Sequence, residues 1–428
     1  MMGYFPLSIL FIFPPPSTST PFDLTRLHSS FVSLVEQDYP ILIGELYTEP
    51  KSGVISVMQT AKHRDNGAYQ IKFETNPRYS MTTRQAIQSR SWELMPSSKS
   101  KLELIRVSGT LLRDGGLAVG IDTSHMLFDG EAIFTFMTVW GQHYSGVKKE
   151  ERLVVSHERQ LMNGTNKPSK MEHPEFRVDS DDEVSSKSNI ATQTLPARRY
   201  HNFHFSPNMM KKIKEWTNNK NYGNETTNVS YASTLDAVTA LFTILITRAR
   251  AHSQDVKITT FVNARLRLEP SLPRNYVGNV TFNALSTYAN SELQPHVNSE
   301  AQVSPETLSK LAHRVRESIL RCNNDFMRDA LNFLAEQTSK AVVKTGTNFA
   351  YGTDLAFSSW LHMGMYNANF DGVHPWFASC LGYEGTVFIT EAQMGGQGID
   401  VGVTLECGAL QKLERMVAKV CEELEKKQ

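Results

Sequence analysis

Cysteine is scarce and unpatterned in this 428-residue chain: Cys322, Cys380, Cys407 and Cys421 all fall in its last quarter, with no C-x-x-C and no paired spacing. That pattern excludes a disulfide framework and a cysteine-built zinc site, and it fits a reducing compartment, the cytosol. Charge of neither sign is in excess, Lys+Arg and Asp+Glu both being 44, so no general attraction to nucleic acid or to an anionic membrane is expected. No window holds the ~18 consecutive apolar residues of a membrane span. The opening M-M-G-Y-F-P-L-S-I-L-F-I-F has no basic residue before its apolar run and no small-residue cleavage site after it, so Leu7–Phe13 reads as a buried strand and not as a signal peptide. Internal repeats and low-complexity arrays are missing too, which excludes a repeat architecture.

What the chain does have is 40% hydrophobic residues, enough for one large core or two ordinary ones, and two domains are expected. Leu24, Leu27, Phe31 and Leu34 recur at helical spacing, and P-I-L-I-G-E-L-Y after Tyr39 reads as a strand. Further strands are expected at 102–107 and 116–123. A helix then starts at Glu131 and places Ile133, Met137, Trp140 and Tyr144 on one face until Gly146. Residues 1–146 thus form a first domain, 147–198 a polar crossover linker rich in D-S-D-D-E and S-S-K-S, and 199–428 a second domain. In the second domain S-T-L-D-A-V-T-A-L-F-T-I-L-I-T-R-A-R is apolar nearly all round and predicts a central helix. Around it come a strand at 258–262, one or two helices within 311–333, and a hairpin about M-G-G-Q-G. A last helix stacks Leu410, Leu413, Met416, Val417, Val420 and Leu424.

The stretch T-S-H-M-L-F-D-G-E-A-I-F at 123–134 places an imidazole and a carboxylate four residues apart where an apolar run stops. As a metal pair, His125 and Asp129 lack a third ligand, since no H-E-x-x-H or cysteine set is present. As a hydrolytic triad they lack a nucleophile better than the adjacent Ser124, which has no G-x-S-x-G elbow. A histidine acting alone as general base on a hydroxyl or amine needs neither, because an imidazole titrating near pH ~6.5 is neutral at cytosolic pH. The same residues also read as a helix start capped by Asp129, with His125 a satisfied strand-end histidine; on their own they do not separate the two readings.

The wider text resembles the CoA-dependent acyltransferases of the BAHD type. H-M-L-F-D-G, followed by V-W-G-Q-H-Y-S-G, is similar to that family's H-x-x-x-D-G and its trailing W-A-x-x-x-R-G. V-N-A-R-L-R-L-E-P-S-L-P-R-N-Y-V-G-N at 262–279 resembles its N-x-R-x-R-x-x-P-x-L-P-x-x-Y-x-G-N. The late motif D-F-G-W-G-K-P is only partly kept: Phe370 and Pro375 align, whereas Asn369, Asp371, Gly372, Val373 and His374 depart, a pattern closer to fungal members than to plant ones.

The resemblance implies an α/β, two-domain chloramphenicol-acetyltransferase-like fold with mixed sheets and an active-site channel between the domains. It makes His125 the general base and Trp360 a donor to the developing oxyanion. Asp129 and Arg265 become a pair joining the domains, Gly130 a tight turn below the histidine, and Gly278 and Asn279 shapers of the strand crossing beside it. His362 is a candidate for the acceptor pocket. No bound cofactor or metal is implied. Acyl-CoA is the co-substrate, and an acyl group, acetyl foremost, passes by direct attack to a hydroxyl (or amine) of a small secondary metabolite. A cytoplasmic monomer without nucleic-acid partners is expected. Relatives that acylate shikimate or quinate hold the acceptor carboxylate with an arginine upstream of the Ser-Trp pair. Between 340 and 359 this chain has only Lys340 and Lys344, so an acceptor without a carboxylate is expected. Two rivals share the fold. A condensation-type peptide-forming domain would show a second histidine where Ser124 stands, and an inactive binding protein would merely hold a ligand.

Overall fold

The computed structural model describes residues 6–17, 20–50, 54–165, 167–179, 196–218, 229–273, 275–295, 301–337 and 342–426. Pro6–Phe13 pairs along its whole length with Leu117–Ser124, which pairs in turn with Ile105–Leu111, with Phe73–Asn76 at the edge. The alternation in L-S-I-L-F-I-F does what a period of two demands. Leu7, Ile9, Phe11 and Phe13 face one hydrophobic cluster, which includes helices Leu24–Asp38 and Gly130–Tyr144, while Leu10 and Ile12 face a second one with Ala86, Ile87 and Leu94. A strand covered on both faces reads as a continuous apolar run, as the expected buried strand does here.

The second sheet has six strands in the order Thr281–Tyr288, Val256–Asn263, Leu355–Ser359, Thr386–Glu391, Ile399–Glu406 and Arg198–Phe205. Leu355–Ser359 runs parallel to both of its neighbours, and the other pairs are antiparallel, so both sheets are mixed. Helix Thr234–Arg250 is buried from Asp236 to Ala249 and starts at a capping box between Ser233 and Asp236. Helices Pro305–Arg321 and Cys407–Glu425 pack against it.

One strand is not anticipated from the sequence. Phe377–Cys380, from the carboxy-terminal part of the chain, joins the edge of the first sheet, with Ile9 opposite Cys380 and Ile12 opposite Phe377. The expected strand at Pro40 is also corrected: Pro40–Ile43 is a 3-10 turn and only Glu45–Thr48 is extended. The proline fixes φ for a first helical position, and that local preference prevails over the apolar pattern. Among the described residues of 147–198 several are less solvated than the composition implies. Phe176–Asp179 pairs with Val342–Thr345, and buried His173 bridges Glu175 at 2.7 Å and Asp329 at 3.1 Å. Residues 180–195 and Lys340 lie outside the described residues. Among the described residues no helix is long and apolar enough to cross a membrane.

Candidate active site

Strand Leu117–Ser124 ends at the edge of a cavity of about 240 Å³, and His125 is the first residue past it. The walls come from both sheets: Pro6, Leu7, Ser8 and Cys380 from the first, and Phe261, Thr281, Ser358, Thr386 and Phe388 from the second. Asp129 then opens helix Gly130–Tyr144, its carboxylate accepting the Ala132 N–H at 2.9 Å. The helix-cap reading of this carboxylate is therefore correct, and it is only part of its work.

Arg265 reaches Asp129 from the second sheet through two bonds, Nη1 to Oδ2 at 2.8 Å and Nη2 to Oδ1 at 3.0 Å. The guanidinium also donates to the carbonyls of Tyr276 and Gly278, both at 3.1 Å, and the Val280 N–H donates to Asp129 Oδ2 at 3.1 Å. Asn263 bonds to Glu131 and donates no proton to the clip itself; its Oδ1 accepts from the Arg265 N–H at 3.0 Å. Both members of the ion pair are almost sealed from solvent, so the surrounding carbonyls and amides are what make such a pair tolerable. Gly278 leaves no room for a side chain, because a Cβ there would stand 2.5 Å from the Tyr276 ring.

His125 is half-buried. Burial pushes its pKa below the ordinary histidine value, against the opposing influence of its own carbonyl and of Asp129. Asn279 meets it from the second sheet: the amide Nδ2 donates to the His125 carbonyl at 2.8 Å and stands 3.2 Å from Nδ1. The Asn279 Oδ1 accepts the Thr281 N–H at 3.1 Å.

Trp360 follows the strand Leu355–Ser359, and its ring is held edge-on between Phe134 and Phe388, at 5.1 and 5.2 Å between centroids. Gly130 lets the ring come close, since a Cβ there would lie 3.0 Å from the indole Nε1 and the ring would have to give by a few tenths of an ångström. Trp360, Gly130 and His125 thus line one cavity.

His362 does not. It sits exposed on the turn after Trp360 with φ 62, its backbone N–H bonded to Glu391 at 3.0 Å, and the left-handed turn carries it away from the cavity.

Sequence reasoning passed over Arg177 and weighed Lys344 only as a poor holder of a carboxylate; the two face each other in register across the small sheet of the crossover and both line the cavity. Only a prediction of that strand pairing would have exposed Arg177. Cys380 also lines the wall; burial pushes its thiol far above the usual cysteine range, so it is protonated.

The model of the family described as the transferase family matches residues 5–419. Shikimate O-hydroxycinnamoyltransferase of Nicotiana tabacum is 22% identical over 311 residues, 72% of this chain and 68% of that protein. Hydroxycinnamoyl-CoA:piscidic acid hydroxycinnamoyltransferase of Actaea racemosa is 25% identical over 339 residues, 74% of this chain and 70% of that protein. Among solved structures, F. graminearum TRI101 complexed with coenzyme A and deoxynivalenol superposes with a TM-score of 0.71 at 14% identity, over 96% of this chain and 94% of that one. The chain accordingly belongs to the transferase family, and it is an acyl-CoA-dependent acyltransferase of the BAHD, or HxxxD, superfamily.

Proposed function

We propose that the protein transfers a short acyl group, acetyl foremost, from CoA to a hydroxyl of a small metabolite, with His125 as general base. The observation that carries this reading is the meeting of His125 and Trp360, from different sheets, on one cavity wall. The imidazole takes the hydroxyl proton as the oxygen attacks the thioester carbon. The tetrahedral oxyanion forms beside the Trp360 N–H; it collapses by breaking the C–S bond, and the imidazolium returns its proton to the CoA thiolate. Direct attack is supported by the protonated state of Cys380, which leaves that thiol a poor acyl carrier. A cavity of about 240 Å³, below the ~300–1,000 Å³ usual for ligand pockets, favours a short acyl chain.

The expectation of an acceptor without a carboxylate rested on lysines alone. Arg177 adds to the wall a guanidinium from the crossover strand, and an acid acceptor suits that wall; the Actaea relative is named for one. The test is mass spectrometry of products after incubating the enzyme with acetyl-CoA and a panel of hydroxy acids, their methyl esters and amines. Acetyl esters are expected. Products formed only from amines, or none from any free CoA thioester, would overturn the reading in favour of amide chemistry or a binding role.

A further inference from the structure

We propose that His173 is the positioning residue of the cationic wall: clasped between Glu175 and Asp329, it latches the crossover onto helix Asn324–Glu336 and so fixes where Arg177 stands on the cavity. The inference rests on the reading of that wall as the seat of an acceptor carboxylate.

The strand that carries Arg177 cannot hold its own place. Phe176–Asp179 and Val342–Thr345 make a sheet of two strands with four residues each, and a sheet of that size is marginal in water unless another element supports it. Helix Asn324–Glu336 is that element. Its Asp329, Asn332 and Glu336 are spaced by three and four residues, hence on one face, and each accepts backbone N–H groups of the crossover. Asn332 takes that of Thr165 at 2.7 Å, Glu336 that of Ser169 at 2.6 Å, and Asp329 those of Lys170 at 3.0 Å and Met171 at 2.8 Å. Arg328 beside them donates to the Leu161 carbonyl at 2.8 Å. A polar run without periodicity is thus held by its main chain.

His173 completes this set. Its ring is sealed from solvent, with the Phe326 and Phe333 centroids 5.0 and 5.2 Å away. Burial would raise the Asp329 carboxyl, but the Lys170 and Met171 amides and the His173 ring hold it at about 2, so it is ionised and only accepts. Nε2 of the ring, at 3.1 Å, is then the donor. On the other side Nδ1 stands 2.7 Å from Glu175 Oε1, too close for a lone pair against an anion, so a second hydrogen lies between them. Two directed bonds from one ring leave a single register for the crossover on the helix.

The path from this latch to the wall is short. The Phe176 N–H donates to the His173 carbonyl at 3.1 Å, and the Phe176 ring stacks on Phe333 at 5.9 Å. The Glu175 carbonyl accepts the Gly346 N–H at 2.7 Å, and Gly346 admits no side chain, because a Cβ there would stand 2.1 Å from the Pro174 carbonyl oxygen. Both strands of the small sheet are therefore gripped beside the latch, and Arg177 and Lys344, opposite each other, lie within two residues of the grips.

The test uses the full chain with His173→Gln, whose shorter amide cannot serve both carboxylates, and Asp329→Asn, which keeps the shape and carries the test should the first fold poorly. Each is assayed alone and on an Arg177→Gln background, with acetyl-CoA and a hydroxy acid or its methyl ester. Either change is expected to raise the KM of the acid about five- to tenfold, with kcat and the KM of the ester within about twofold of the parent. On the Arg177→Gln background the same changes should add nothing to the KM of the acid, since the guanidinium they position is gone. Hydrogen exchange should quicken in Phe176–Asp179 and Val342–Thr345 and stay as it was in Leu355–Ser359. An unmoved KM, a rise shared equally by acid and ester, or one that adds in full to that of Arg177→Gln would overturn the proposal, whatever the Tm. Should Arg177→Gln itself leave the choice between acid and ester unchanged, the reading of the wall falls, and the latch's role in specificity with it.

Discussion

Arg265 holds Asp129 by two parallel hydrogen bonds across 136 positions of sequence, in a pocket nearly closed to solvent, while the same carboxylate caps the helix that follows His125. Removing one member strands a buried charge, which typically costs about 3–5 kcal/mol. Asp129→Ala should therefore lower both Tm and rate, and Arg265→Lys should not rescue the pair, because an ammonium cannot reproduce the two-pronged contact. Thermal denaturation decides the matter. An Asp129→Ala protein that melts with the parent would show that the sheets are joined without this pair.

His125→Ala should lower acyl transfer by roughly a hundredfold or more while leaving the melt nearly unchanged, since the ring is half-buried and holds no structural charge. In the parent, burial disfavours the imidazolium, so the neutral, proton-accepting ring persists below the pH of ~6.5 at which a free histidine would charge. The acid limb of kcat/KM should lie below that value. By linkage the folded state binds this proton less readily than the unfolded chain, so the ring's contribution to stability is lost as pH falls below about 6.5. A limb at or above the free-histidine value would assign the titration to another group.

Trp360→Phe retains a ring between Phe134 and Phe388 and removes only the indole N–H. The expected result is a fall in kcat of about a hundredfold, the usual size for one lost oxyanion donor, with little change in KM. A purely packing role for the tryptophan predicts the opposite split, a lower Tm with near-normal kcat.

Arg177→Gln and Lys344→Gln test the cationic wall. Each should raise KM for a hydroxy-acid acceptor and leave its methyl ester unaffected, narrowing the preference between them about tenfold or more. An increase confined to the KM of acyl-CoA would instead place the CoA phosphates against these side chains.

The parts of this site that could be read from the sequence are those whose chemistry is contiguous. H-M-L-F-D-G and V-N-A-R-L-R carry their residue types in a row, and the structure brings His125, Asp129 and Arg265 within one constellation. Arg177 was hidden because its surroundings are polar and its orientation depends on pairing with Val342–Thr345, far along the chain. His362 misled for a related reason: adjacency to Trp360 implied a shared cavity, but a positive φ turns the residue away from it. At Pro40 a local backbone preference defeated an apolar pattern that is ambiguous over so few residues.

The crossing of Phe377–Cys380 into the first sheet bears on how the protein can be taken apart. A fragment ending before residue 199 would leave one flank of Pro6–Phe13 with its amides and carbonyls unanswered, an open template for chain-to-chain pairing. The amino-terminal piece made alone is thus expected to aggregate, and supplying the missing carboxy-terminal piece during refolding should restore it, as in a split protein that reassembles by strand complementation.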